Sequence, residues 1–171
     1  MLVCGGTVTE PEYFAGLKKF FRNPAVQVRV KKKAVDPRAL VEYAITLRSL
    51  SPDEFDEVWC VTDVDQFDVT SAIDLALTNE IRLAISNPCF EVWLLLHFVA
   101  RMGAIGNPTE AVRLLKRHVS GYSKSELRFD QFSTGVQDAI ARARGLSPSG
   151  EEQDRNPSSG VWTVTEIVAG T

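Results

Sequence analysis

The sequence predicts an α/β protein: a parallel, four-stranded sheet flanked by helices on both faces, with a helical extension towards the C-terminus. Three observations carry this. Short apolar runs alternate with amphipathic helical patterns through the first hundred residues, in the order β-α-β-α-β-α-β-α. Such alternation implies parallel strands with right-handed crossovers. The third apolar run, Val58-Trp59-Cys60-Val61, ends abruptly in Asp63 and Asp65, as a buried strand delivering side chains to the sheet's C-terminal edge would. Beyond Arg101 the text changes, with Gly103, Gly106, Asn107 and Pro108 marking a loop. Residues 1–100 therefore read as an α/β core. Residues 101–171 read as a helical, loop-rich extension packed on it, within one domain overall.

The totals agree. At 171 residues and 44% hydrophobic, the chain can bury a full core. A net charge of −3 excludes a globally basic nucleic-acid binder but allows a local basic patch. Cys4, Cys60 and Cys89 have no metal or redox spacing and sit in apolar runs. Buried free thiols and a reducing, cytoplasmic setting are expected. No signal peptide is apparent. No apolar run reaches the roughly 18 residues a membrane span needs.

In order, residues 1–4 form a short buried strand. Gly5-Gly6-Thr7-Val8 is a loop, and Thr9 is placed to cap a helix over residues 10–22, with Pro11 near its start and Glu10 and Glu12 in its first turn. Phe14, Leu17, Phe20 and Phe21 give it an apolar stripe. Asn23-Pro24 stops it. Residues 26–31 alternate with period two, as a half-exposed edge strand does. Lys31-Lys32-Lys33 follows, a solvated edge or a phosphate contact through Lys32 and Lys33. Asp36-Pro37 opens a helix through Leu50, with Leu40, Val41, Ala44, Ile45 and Leu47 inward. After the Asp63/Asp65 strand, Asp68 or Thr70 caps a helix over residues 71–78. Residues 81–85 are the fourth strand. Ser86-Asn87-Pro88 turns the chain into an apolar helix over residues 89–99.

In the extension, Thr109 caps a helix to about His118, Gly121 to Lys124 is a turn, and residues 129–144 are helical. Residues 146–160, rich in Ser, Gly, Pro and acids, read as a mobile surface loop. Residues 161–168 are open between strand and helix.

In a parallel sheet every strand-to-helix loop lies on one edge. This gathers Glu10, Asp63, Asp65 and Glu91 at one mouth. Asp63 and Asp65, spaced i, i+2, share one side of the strand. They can hold Mg²⁺, or they can simply belong to an Asx-rich turn that caps the next helix. Glu91 stands out as an acid within Cys-Phe-Glu-Val-Trp-Leu-Leu-Leu-His-Phe. A buried charge needs a metal, a lysine or a helix dipole to offset it. His97, Trp59 and Trp93 read as packing residues. Arg113, Lys116, Arg117 and His118 cluster on one helix. They are either a solvated helix end or, with Lys124, a lobe that meets phosphates without reading base sequence.

The segments around Leu2 to Phe14, Asp63-Val64-Asp65 and Ser86 to Phe98 resemble the RloB-like proteins. Lys124 in Tyr122-Ser123-Lys124 and the Asn156-Pro157-Ser158 run fit as well. The Ser-Asn-Pro-Cys-Phe-Glu segment is the most specific part. The resemblance implies a Toprim-like fold, similar to the metal-dependent core of topoisomerases, primases and OLD-type nucleases, and an association with restriction-modification and anti-phage genes. It implies a Mg²⁺- or Mn²⁺-dependent nuclease, or a related phosphoryl-transfer protein, acting on DNA or RNA. A partner ATPase is a further expected partner. Asp63 and Asp65 match the metal pair, with Glu91 completing the shell. Glu10, Glu91 and Lys124 are the candidate catalytic residues. Lys32, Lys33, Arg113, Lys116 and Arg117 are the candidate nucleic-acid contacts.

One position departs from the pattern. The glutamate expected just after the first strand falls on Gly5, where relatives read Glu-Gly and this chain reads Gly5-Gly6. The alternative is thus a catalytically degenerate module that binds nucleic acid or a partner. The chain also begins closer to the first strand than the family pattern does, which raises the expectation of a segment ahead of Met1.

Overall fold

The computed structural model describes residues 1–30, 36–64 and 68–170. Lys32, Lys33 and Asp65 lie outside the described residues. In chain order the elements are β1 (Leu2–Cys4), α1 (Thr9–Phe20), β2 (Val28–Val30), α2 (Pro37–Leu50), β3 (Trp59–Asp63), α3 (Thr70–Thr78), β4 (Arg82–Asn87) and α4 (Glu91–Leu96). They continue as α5 (Pro108–Leu115), α6 (Val136–Arg144), β5 (Ser158–Ser159) and α7 (Val161–Ala169).

One mixed sheet runs in the order β2-β1-β3-β4-β5. Strands β2, β1, β3 and β4 are parallel, and β5 adds antiparallel to β4 through Ser86 opposite Ser159 and Asn87 opposite Ser158. The expected four parallel strands are therefore present, but the sheet has a fifth, antiparallel member. Its two residues lie in the segment expected to be a mobile loop. That segment is held instead: Ser158 and Ser159 are buried, and Glu152 with them. The Asn87 side-chain amide donates to the Gln153 carbonyl at 2.9 Å, and the Ser86 and Ser159 hydroxyls meet at 2.9 Å. A polar, Gly-rich composition marks loops because its groups seek water. Here they find protein partners across the sheet edge.

Strand alternation sorts the core into two faces. Leu2, Cys4, Trp59 and Val61 point to one face, where Tyr13, Phe14 and Leu17 of α1 meet the apolar side of α4 and residues of α5, α6 and α7. Val3 and Cys60 point to the other, against Leu40, Val41 and Ala44 of α2 and Ala72 and Ala76 of α3. The first layer is the thicker. Trp93, Phe90, Leu94, Leu95 and Leu96 are wholly or nearly wholly buried in it, each worth about 1.5–3 kcal/mol or more of apolar burial. His97 packs there too, as expected. Its Nδ1 lies 3.0 Å from the Trp93 carbonyl and its Nε2 lies 3.1 Å from the Tyr13 hydroxyl. The carbonyl needs a donor, so Nδ1 carries the hydrogen and Nε2 accepts from tyrosine. Burial lowers the imidazole pKa to about 4, which keeps it neutral.

Helix ends follow local chemistry. Asp36 caps α2, its side chain accepting from the Ala39 N–H at 2.9 Å with Pro37 at the first position. The α5 cap is Asn107 rather than Thr109: Asn107 accepts from the Glu110 N–H at 3.0 Å, and the helix begins at Pro108. Nor does Thr9 cap α1. It lies inside the helix, and its hydroxyl donates to the Lys124 carbonyl at 3.2 Å. The helix expected over residues 129–144 is broken: two single 3₁₀ turns precede α6. Residues 161–169 resolve as helix, with Val161, Val164, Thr165 and Val168 on the buried face.

Gly135 lets that second 3₁₀ turn close onto the end of α4. A Cβ there would stand 2.6 Å from the His97 carbonyl oxygen and 2.9 Å from its Cβ. Since the nearest atom is backbone, Gly135→Ala should cost about 1–3 kcal/mol in urea unfolding followed by tryptophan fluorescence. An unchanged midpoint would refute this packing.

Candidate functional site

The C-terminal ends of the parallel strands open onto a cleft of about 250 Å³ lined by Gly6, Thr7, Val8, Thr9, Glu10, Asp63, Phe90, Glu91 and Lys124. Three acids reach it from three elements. Asp63 is the last residue of β3, Glu10 lies in the first turn of α1 and Glu91 is the first residue of α4. This is the gathering at one mouth expected for Glu10, Asp63 and Glu91. Asp65, the other half of the pair, lies outside the described residues.

Asp63 continues the Trp59-Val61 series, so its side chain belongs to the face that carries α1 and α4. Its Oδ1 is shut off from solvent and has no hydrogen-bond partner among the described residues. Burial, then the nearby Glu10 and Glu91 charges, push its pKa well above the usual carboxylate range, against a weaker pull from the Phe90 backbone N–H. Glu10, 6% exposed, is also raised. Burial is the main cause, and the Glu91 charge adds to it.

Glu10 does more than stand at a helix start. Its carboxylate turns back across the loop, where Oε1 accepts the Gly6 N–H at 3.1 Å. It thereby brings an acid to the end of β1. The fold-back needs a glycine, because a Cβ at residue 6 would lie 1.9 Å from Glu10 Oε2. Position 5 is different. A Cβ there would face the Val61 carbonyl at 3.3 Å and Leu40 at 3.5 Å, continuing the Val3 series on the α2 side of the sheet. Asp63 is on the opposite side.

Glu91 is 2% exposed. Of the three offsets expected for it, the lysine is present. Lys124 Nζ lies 3.0 Å from Oε1, and the Tyr122 hydroxyl donates to the same oxygen at 3.0 Å. Burial would lower the Lys124 pKa, but the Glu91 carboxylate outweighs it and the net shift is upward. The Tyr122 hydroxyl is pushed far up by burial and by Glu91, so it remains a donor. The Cys89 thiol also lies against Glu91. Burial, followed by the Glu91 and Asp63 charges, holds it far above the usual range, so it stays an S–H.

Tyr122 and Cys89 were not among the candidate site residues. Tyr122 carried no clear signal, since residues 121–124 read as a turn, where the alternation of side chains along a strand does not apply. Arg113, Lys116 and Arg117 are exposed and none lines the cleft. Arg113 pairs with Glu110 on its own helix at 3.6 Å.

The donor chemistry suits a hard divalent cation: among the described residues three carboxylates face one ammonium, and one buried carboxylate oxygen has no partner. No group of three or more His, Cys, Asp or Glu among the described residues is spaced as a ready-made metal shell.

The molecule is thus an α/β protein with a carboxylate-lined cleft at the sheet's C-terminal edge. A family model described as "RloB-like protein" matches residues 1–168, and the chain belongs to the RloB-like family. No curated protein and no solved structure gives a significant match. No helix among the described residues is long and apolar enough to cross a membrane.

Two outcomes test this geometry. Gly6→Ala should expel the Glu10 carboxylate from the end of β1 while changing unfolding stability by no more than about 1–2 kcal/mol, because the clash is with the far end of a flexible side chain. Chemical-shift perturbation confined to the cleft checks it. The second concerns pH. A carboxyl whose folded pKa is raised contributes most to stability below its unfolded value, about 4. That contribution is lost as pH rises through the folded value. In metal-free buffer, Asp63→Asn should therefore raise the melting temperature at pH 7.5, with the gain shrinking towards pH 4. A gain independent of pH would contradict the assignment.

Proposed function

We propose that the cleft is the site of a Mg²⁺- or Mn²⁺-dependent nuclease, or a related phosphoryl-transfer activity, exercised on DNA or RNA in defence against phage. The observation that supports it best is the convergence of Glu10, Asp63 and Glu91 beside Lys124, with Asp63 Oδ1 buried and unpartnered among the described residues. Native proteins rarely leave such an oxygen without a hydrogen bond, ordered water or ion.

In this reading Asp63, Asp65 and Glu91 hold the divalent cation. When bound, that cation neutralises phosphate charge and polarises a phosphoryl oxygen. The chain's own residues do the rest. Glu10, its pKa raised above the ordinary carboxylate range by burial, is the acid placed to hold and pass a proton. Lys124 presents a positive charge where phosphate oxygens enter. Arg113, Lys116 and Arg117, outside the cleft, would track the nucleic-acid backbone, as would Lys32 and Lys33. The association with phage defence rests on family membership and the gene neighbourhoods that the resemblance implies.

The competing reading is a module that binds nucleic acid or a partner ATPase without cleaving. It draws on Gly5, which supplies no carboxylate at the position where the family resemblance implies a glutamate. Plasmid DNA and single-stranded RNA incubated with Mg²⁺ or Mn²⁺ separate the two. Cleavage should stop with EDTA, and Asp63→Asn or Glu91→Gln should lower it at least about a hundredfold. Cleavage unchanged in Asp63→Ala and Asp65→Ala would overturn the nuclease reading. Metal binding without cleavage of either substrate would favour the binding module.

A further inference from the structure

We propose that Lys124 is an exchangeable counter-ion for Glu91: it holds the acid while the cleft lacks a divalent cation and must leave it when one binds. This rests on the metal reading above and adds how the site is kept closed to the ion.

The two donors on Glu91 Oε1 differ in kind. Tyr122 is a buried ring whose hydroxyl donates to Glu91 and also meets the Thr9 side chain. The side chain of Lys124 is 52% exposed, although its ammonium reaches the same buried oxygen. The backbone beneath it is fixed. The Thr9 hydroxyl donates to the Lys124 carbonyl, Ser123 bridges to Glu126, and the Ser123 and Ser125 hydroxyls meet at 2.7 Å. An anchored backbone with a long, half-exposed stem lets the ammonium swing without moving the segment. Tyr122 stays behind to keep the carboxylate oriented.

The electrostatics set the direction of the exchange. An isolated carboxylate as buried as Glu91 is costly, so in the metal-free cleft the ammonium is drawn in. Among the described residues, the other titratable groups facing it are the Asp63 and Glu10 carboxyls and the Cys89 thiol, which stays neutral. A divalent cation among these acids repels the ammonium within a few ångströms and satisfies Glu91 in its place. The lysine is therefore a competitor of the metal. Once displaced it stands at the cleft mouth, still charged.

Calorimetric titration with Mn²⁺ at fixed ionic strength tests this on the full chain. Lys124→Met should bind Mn²⁺ more tightly than the natural protein, on the order of tenfold, the scale on which one nearby unit charge acts on a divalent ion. Lys124→Gln, which keeps a hydrogen-bond donor for Glu91 and guards against misfolding, should shift affinity the same way. Lys124→Arg should leave it near the natural value. Affinity unchanged or weakened in both neutral variants overturns the exchange while leaving the metal site standing. No Mn²⁺ binding in the natural protein or any variant overturns the metal reading itself, and the exchange with it.

Discussion

The buried Glu91 carboxylate is the constraint around which the functional edge is arranged. It begins a helix that is otherwise wholly apolar and packed into the larger core layer. It cannot be moved to water without withdrawing that helix. Its charge therefore has to be answered from elsewhere in the chain, and the answer comes from residues 122–124. Those residues are in turn tied to α1 through Thr9, and the neighbouring Leu127 N–H donates to Glu12 of the same helix. One acid thus ties α4, α1 and a segment more than thirty residues downstream into a single unit. Asp63 and Glu10 stand within the field of that unit: burial is the main cause of their raised pKa values, and the Glu91 charge adds to it.

Much of the fold was legible because strand alternation and helix stripes are local signals. The sequence Leu2-Val3-Cys4 and the run Trp59 to Asp63 assign their residues to faces of the sheet without any knowledge of the partners. The α2 helix was readable at both ends, since Asp36-Pro37 carries its own start signal. Some failures fall where a distant partner decides, and the α5 cap is decided within its own turn. Thr9 has the chemistry of a cap, but its hydroxyl is claimed by Lys124. Thr109 lost its expected role to Asn107, two residues earlier, whose side chain reaches Glu110. Ser158 and Ser159 form a strand only because β4 offers them an edge, and no pattern in two serines announces it.

The candidate site divides in the same way. Glu91 was visible as an acid in an apolar run, and the need for a counter-charge followed from burial alone. The convergence with Asp63 followed from parallel topology. The position of the Glu10 carboxylate did not, because it depends on a side chain folding back over Gly6. The two glycines that looked like a lost acid are better understood separately. Gly5 faces the other side of the sheet, whereas Gly6 makes room for the acid that does reach the edge.

The hydroxyl contact between Ser86 and Ser159 joins residues 73 apart in sequence. Contacts of such separation form late in folding, after the loop between them has been closed at an entropic cost. The β4 end that leads into Pro88 and Glu91 is therefore capped only after β5 has arrived. On a ribosome, the first hundred residues emerge with that edge of the sheet unpaired and its backbone groups available to other chains. Pairing with β5 covers the Ser86-Asn87 end of this edge as it completes the frame behind the cleft. The end of β4 that leads into the cleft is thus open to other chains between synthesis of β4 and synthesis of β5.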